Sequence, residues 1–410
     1  MVQALENSRQ EPVADGPLSY GRHLIDEADV AAVTAVLRGE LLAHGPKVDE
    51  FAAVFAALAG APEAVACSSG TAALHLALAA LDIGPGDICI VPAVTFLATA
   101  TAARLCGAEV VFADVDPASG LLTAETLEAA RRRAGRKARC VIPVHLGGRI
   151  CAMDEVSEAA RAAGLLILED ACHALGGYDA QGDAVGACRD SDAATFSFHP
   201  VKTIAAGEGG MVTTRDPARA ARMRRLVNHG VTKDPALISD AALSVDPEGG
   251  LNPWSYEQLE LGFNYRMNEL EAALGLSQLG KLDRFVRRRR ELSLLYELML
   301  EPLGPVVQPV RPGAPGQKPS PHLHQVLSDF DAAGVDRATM MRRLAKRGVG
   351  TQVHYIPVYR QPYFRQRYGE MRLDGAEAFY ARVLALPLFP AMRNQDVERV
   401  VSALSETLEL

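Results

Sequence analysis

The sequence predicts an α/β protein: a large domain on a seven-stranded, mostly parallel sheet covered by helices, then a smaller C-terminal α+β domain. Three observations lead there. From about Glu63 to Thr214, short apolar runs alternate with longer helical patterns, as in a parallel sheet whose strands are joined by helical crossovers. Beyond residue 215 the pattern turns helical, and a Pro/Gly-rich span, Pro302–Pro321, reads as a loop between units. After it a strand, a helix and a strand follow in close succession. A length of 410 residues suits two or three structural units.

Residues 1–17 are polar and acidic and contain proline and glycine, which predicts a disordered leader. Asp26 stands where it would cap a helix over Glu27–Arg38, expected to pack near the smaller domain. Strands are predicted at Ala64–Ser68, Ile88–Thr95, Glu109–Val115, Cys140–His145, Leu165–Asp170, Ala193–His199 and Met211–Thr214. Between them, Thr71–Leu81 repeats alanine and leucine at helical spacing, Ala98–Cys106 does so more weakly, and Met153–Ala163 places Val156, Ala159 and Ala160 on one face. Right-handed crossovers of this kind put ligands at the carboxyl ends of the strands. Asn268–Leu300 reads as one or two long helices that turn Leu270, Leu274, Leu279 and Leu282 to a core. Leu323–Asp329, Ala338–Arg347 and Gly350–His354 give the smaller domain its strand, helix and strand. The expected organisation is a leader over 1–17, a large domain with an N-terminal helical segment over 18–280, and a small domain over 281–410.

Composition narrows the function classes. A hydrophobic share of 49% with 22% charged residues is that of a soluble globular enzyme. The net charge of -8 argues against nucleic acid or an anionic membrane as the main partner. One basic run, Arg287–Arg290, reads as the solvated face of a helix. Seven cysteines, odd in number and without a CxxC pair, suit reduced thiols in the cytoplasm rather than disulfides or a metal site. The chain shows no basic start followed by an apolar run, and no apolar stretch nears the ~20 residues that span a bilayer.

Four places carry chemistry. Cys67-Ser-Ser-Gly-Thr-Ala-Ala-Leu74 is a strand ending in a small-residue turn that opens a helix, so free backbone N–H groups, the Ser69 and Thr71 hydroxyls and Gly70 offer a phosphate site; a plain helix cap would look the same. Pro92-Ala-Val-Thr-Phe-Leu97 puts Phe96 at the end of a second strand, where taken by itself it reads as core. Leu168-Glu-Asp-Ala-Cys-His-Ala174 ends a third strand with Glu169, Asp170 and His173, and strand alternation lets only one of the two acids enter a common site. Thr195–Thr214 carries Lys202 between an apolar strand with Ser197 and a glycine-rich turn. Phe196, Phe198 and Val201 would help desolvate its amine, as a Schiff-base lysine requires. No GxGxxG follows a strand, so a dinucleotide fingerprint is absent. A phosphate cradle, a stacking ring, an acid and a lysine together are what pyridoxal 5′-phosphate (PLP) needs.

The set occurs in the order and at about the spacing of the aspartate-aminotransferase-type fold, fold type I of the PLP-dependent enzymes. From Leu18 to the C-terminus the chain resembles the DegT/DnrJ/EryC1/StrS sugar aminotransferases. The resemblance rests on Ser69-Gly-Thr-Ala-Ala-Leu74, Glu169-Asp-Ala-Cys-His-Ala174, Ser197-Phe-His-Pro-Val-Lys202, Gly207-Glu-Gly-Gly210 and Gly262-Phe-Asn-Tyr-Arg-Met267. Asn252–Gln258, Leu261–Met267, His354-Tyr-Ile-Pro357 and Gln361-Pro-Tyr363 are most similar to the branch of pseudaminic acid biosynthesis that aminates C4 of a UDP-linked 4-keto-6-deoxy N-acetyl sugar.

The resemblance implies roles. Lys202 would carry the cofactor and then shuttle the proton, Asp170 would keep the pyridine nitrogen protonated, Phe96 would stack on the ring and His173 would support it. Ser69, Gly70, Thr71 and Ser197 would hold the phosphate, with Asn264 reaching the phosphate of a partner subunit in a homodimer with shared sites. Arg22, Arg266, His354, Tyr355 and Arg360 would meet the nucleotide keto sugar, and L-glutamate would be the donor. The chain departs from the family pattern at Pro321, Ala152 and Arg360, positions that bear on the substrate and on packing of the smaller domain. Relatives with histidine in place of the lysine act as sugar dehydratases, which Lys202 argues against, and a non-catalytic PLP-binding regulator is a further alternative.

Overall fold

The computed structural model describes residues 16–408, so the expected leader lies outside the described residues except for its end. After helices α1 (Glu27–Leu37) and α2 (Lys47–Ala59), the large sheet is built from β1 (Glu63–Cys67), β2 (Ile88–Pro92), β3 (Glu109–Ala113), β4 (Ala138–Val141), β5 (Leu166–Asp170), β6 (Ala193–Ser197) and β7 (Gly210–Thr214). Their order is β1-β7-β6-β5-β4-β2-β3, with β7 antiparallel to both neighbours and the other pairs parallel. Every predicted strand is present within a few residues at its ends. The fourth stops earlier than predicted because Pro143 has no N–H to give the ladder, although Ile142 still donates to Ile90 O and His145 to Asp170 O.

Helices α3 (Gly70–Ala80), α4 (Leu97–Leu105), α5 (Ala124–Ala134), α6 (Met153–Ala162) and α7 (Pro217–Leu226) share one core with the sheet. A short ribbon of β8 (Val231–Thr232) and β9 (Glu257–Gln258), with α8 (Ala241–Ser244) between them, leads to α9 (Glu269–Leu279) and α10 (Leu282–Leu300). A second core lies under α2 and α9, where Phe55 meets Phe196 at 4.9 Å and Phe51 meets Phe198 at 5.1 Å. Those two rings of β6 are therefore spent beneath the sheet and do not desolvate Lys202. Of the four leucines expected to face a core, Leu279 and Leu282 are buried and Leu270 and Leu274 are half-buried.

The smaller sheet is fully antiparallel, in the order β10 (Val307–Pro309), β11 (His324–Ser328), β12 (Val383–Leu386). Around it lie α11 (Arg337–Lys346), α12 (Pro362–Tyr368), α13 (Asp374–Arg382) and α14 (Asn394–Leu408). Two expectations are corrected here. The Pro/Gly-rich span contains strand β10, and Gly350–His354 is no strand: among the described residues its pairing with the smaller sheet is a single bridge from Gln352 to Ala385 of β12.

Helix α1 docks on α9 rather than near the smaller domain. Buried Asp29 accepts from Ser277 Oγ and Gln278 Nε2, both at 2.7 Å, and pairs with Lys281. The preceding segment does reach the smaller domain, since Leu18 bridges Val349 and the Leu388 N–H donates to Tyr20 O.

Helix α10 joins the two cores, with Phe285 and Val286 in the second and Leu292, Tyr296 and Leu300 in that of the smaller domain. Of the basic run on it, Arg287 is exposed as expected, but the other three arginines do not form a solvated face. Arg289 is fully buried and donates to His322 O and Leu388 O, Arg288 donates to Met392 O, and Arg290 to Pro319 O and Gly176 O. Carbonyls that strands and loops leave unpaired at the junction thus find donors on one helix.

Candidate active site

The carboxyl ends of β1, β2, β5 and β6 open into one cleft of about 640 Å³. Its walls include Ser69, Gly70, Thr71, Phe96, Asp170, His173, Ser197, Lys202, His354 and Tyr355, ten of the residues singled out from the sequence.

Ser69 caps α3, its Oγ accepting from Ala72 N at 3.1 Å. The helix start lies so close to the neighbouring strands that a Cβ on Gly70 would fall 2.7 Å from Ser197 Cβ, and one on Gly210 would fall 2.3 Å from Ser69 O. The two glycines let three hydroxyls, those of Ser69, Thr71 and Ser197, gather around the first free N–H groups of the helix, a cradle with the polarity and donors a phosphate requires. Phe96 stands at the start of α4, 54% exposed, its ring 5.9 Å from Tyr355.

Asp170 is buried, with Oδ2 accepting from Thr99 Oγ1 at 2.7 Å and Oδ1 from Cys172 N at 3.2 Å. Glu169 lies on the opposite face, where it pairs with His145 Nε2 at 2.8 Å and accepts from Ser191 Oγ. The Cys151 N–H points at His145 Nδ1 at 3.2 Å, so that nitrogen accepts and the proton sits on Nε2, towards Glu169.

His173 is fixed in the same way. Gly147 N donates to its Nδ1 at 3.2 Å, leaving Nε2 to face the Tyr355 hydroxyl at 3.4 Å. Burial, reinforced by Lys202, His354 and Arg149, holds the His173 ring neutral, far below the ordinary histidine range. His354 is pushed down to about 4 by burial and by Lys202. Burial raises the Tyr355 hydroxyl, which stays protonated.

Lys202 is half-buried, and among the described residues its amine has no hydrogen bond or ion pair. Burial pushes its ammonium below the ordinary lysine range, against the pull of Cys172 and Asp170. A lysine with a depressed pKa and a free amine, between a carboxylate and an anion cradle, fits the group that the sequence motifs imply.

Four predicted residues do not line this cleft. Arg360 is held away by Glu377, whose Oε1 accepts from its Nε at 2.9 Å, while its guanidinium lies 5.2 Å from the Tyr380 ring centre. That corrects its expected place at the mouth. Arg266 donates to Asn228 Oδ1 at 2.6 Å, and Asn264 is exposed, its backbone bridging Asn228. Arg22 is exposed and makes no polar contact among the described residues.

The cleft also takes in Tyr20, which lies outside every motif, and four motif residues to which no role had been given, Cys172, His199, Glu208 and Gln361. Thr99, which holds Asp170, had a faint signal: it is a hydroxyl within an alanine-rich helical face. Tyr20 had none, because long-range pairing of its segment places it, with its ring 5.3 Å from His354.

Comparison with known proteins accords with this geometry. The model of the DegT/DnrJ/EryC1/StrS aminotransferase family matches residues 23–405. The chain belongs to that family. It is 38% identical over 395 residues to the spore coat polysaccharide biosynthesis protein SpsC of Bacillus subtilis (strain 168), across 96% of this chain and 97% of that one. Among solved structures it is similar to Helicobacter pylori PseC, an aminotransferase involved in the biosynthesis of pseudoaminic acid, at 27% identity and a TM-score of 0.86, covering 96% of this chain and 99% of PseC. It is also similar to DesI, solved in the presence of its TDP-sugar product, at 32% identity and a TM-score of 0.82, covering 97% of this chain and 94% of DesI. The protein is thus an enzyme of the PLP-dependent aminotransferase fold. PLP is its cofactor, as in relatives solved in PLP and PMP forms. Among the described residues no helix is long and apolar enough to cross a membrane, and no group of acids, cysteines and histidines is placed to hold a metal.

Proposed function

We propose that the enzyme moves the amino group of L-glutamate to C4 of a nucleotide-linked keto sugar, UDP-2-acetamido-2,6-dideoxy-hexos-4-ulose, in surface-glycan or pseudaminic acid biosynthesis. It works in the cytoplasm as a homodimer whose two sites are shared. The observation that carries the reading is the make-up of the cleft: a free lysine amine and a buried acid stand in a wall of hydroxyls, amides, imidazoles and rings to which, among the described residues, this chain contributes no arginine. A free 2-oxo acid as the principal acceptor calls for a guanidinium fixed beside the reacting carbon to take its carboxylate. A sugar ring calls for neutral donors and acceptors, which this wall supplies. The printed names of SpsC, PseC and DesI, with their polysaccharide, pseudoaminic acid and TDP-sugar chemistry, support the same class.

The cofactor supplies an electron sink for the carbon that gains or loses its proton. The chain's own groups do the rest. Ser69, Thr71, Ser197 and the start of α3 bind the phosphate, with Asn264 reaching across from a partner. Asp170, oriented by Thr99 and Cys172, presents a carboxylate to the pyridine nitrogen and holds the proton there. Phe96 and neutral His173 would flank the ring, and the Lys202 amine would hold and move the proton at Nζ. Arg22 and Arg266, free of the local cleft, meet the diphosphate at a shared site.

A panel of UDP- and dTDP-linked keto sugars incubated with enzyme and L-glutamate tests this, with release of 2-oxoglutarate as the readout. UDP-linked 4-keto sugar should drive the release. Turnover with many free 2-oxo acids and with no nucleotide keto sugar would make the protein a general amino-acid transaminase.

A further inference from the structure

Gln325 is a polar side chain inside the central strand of the smaller sheet, 3% exposed, with both ends of its amide engaged. Its Oε1 accepts from Arg149 Nη2 at 2.7 Å and its Nε2 donates to His354 O at 2.9 Å. A guanidinium can only donate and a carbonyl can only accept, so the amide has one permitted orientation. Arg149 is itself buried, without a carboxylate partner, and its Nη2 also donates to Ser119 O at 3.1 Å.

The turn that carries Arg149 touches the cleft a second time. Gly147, at φ 68°, donates its N–H to His173, and a Cβ there would lie 2.6 Å from Gln325 Oε1. Gly148 approaches the other unit so closely that a Cβ would fall 1.8 Å from Ser320 O. His322 N and Leu323 N both donate to Gly147 O.

We propose that Gln325, oriented by Arg149, is a positioning residue that sets the His354–Tyr355 segment against the cofactor cleft. The turn Gly147–Arg149 then places His173 and Tyr355 together, one through its own N–H and the other through the amide of Gln325. The inference rests on the family's cofactor and not on the sugar proposed above, so it stands or falls separately from that reading.

The test is Gln325→Glu. A carboxylate keeps the contact with Arg149 as an ion pair but has no proton for the His354 carbonyl. The cofactor-free variant should melt below the parent, because a carboxylate oxygen then faces the His354 carbonyl, and should also bind PLP, titrated by fluorescence, about tenfold more weakly. A purely structural role would lower melting and leave affinity alone. PLP affinity within about threefold of the parent in the folded variant overturns the proposal. If Gln325→Glu does not fold, Arg149→Lys retains a cation for Oε1 without the fork that fixes it, and there a PLP affinity equal to the parent's overturns the proposal.

Discussion

Glu169 and Asp170 are adjacent in the chain and serve opposite faces of the sheet. Asp170 turns into the cleft, held at 2.7 Å by Thr99, and Glu169 turns away to His145 at 2.8 Å. The period of two along β5 divides two like residues between chemistry and stability.

Substitution should separate the two roles. Asp170→Asn keeps size and hydrogen bonds but loses the charge, and should lower kcat about a hundredfold or more with little change in melting. Glu169→Ala removes the acceptor of the buried His145 Nε2–H and should cost stability of about 1–3 kcal/mol, with a far smaller loss of activity in the protein that remains folded. Steady-state rates and melting curves of both variants check this. The opposite pattern would exchange the roles.

A shared site predicts complementation. Lys202→Ala should be inactive and an Asn264 variant severely impaired, and mixing them should give heterodimers with one doubly defective site and one intact site. Activity should recover in part once subunit exchange is shown by mass spectrometry. No recovery after exchange would put both residues to work within one subunit.

Buried histidines set the acid limit of stability. The pKa of His354 is pushed down to about 4 and that of His324 to about 3, against about 6.5 in the unfolded chain. Between those values the unfolded chain binds more protons, so stability rises with pH through that window and is complete above about 6.5. At pH 5 each of these two should cost roughly 2 kcal/mol relative to pH 7. The melting temperature should fall between pH 7 and pH 5, and His354→Gln should reduce the fall. Equal melting at both values would contradict it.

Much of the fold was legible because the large sheet is regular. Its strands alternate with helices, so each apolar run could be read from its period, and the cleft residues lie at strand ends where topology gathers them. The smaller sheet was less legible. Strand β10 hides in a span rich in proline and glycine, and β12 sits beyond two helices, where nothing local says that Val383–Leu386 pairs with β11 ahead of the nearer Gly350–His354. Arg288, Arg289 and Arg290 read as a solvated charge run because sequence shows charge but not the orphan carbonyls of distant segments that three guanidiniums satisfy. Arg360 misled for the same reason, its partner Glu377 lying on a helix that sequence does not place beside it. Phe196 and Phe198 do not desolvate Lys202 as expected, because strand alternation puts them on the face opposite Ser197, against Phe55 and Phe51.

The central claim is that the free amine of Lys202 carries the cofactor. Sodium borohydride should bleach the yellow colour of the purified enzyme and fix the cofactor covalently, and mass spectrometry of the digest should place the added mass on the peptide that contains Lys202. Lys202→Ala should take up no covalent label and should not turn over, while keeping some cofactor through the phosphate cradle. A label on any peptide without Lys202 would contradict the account.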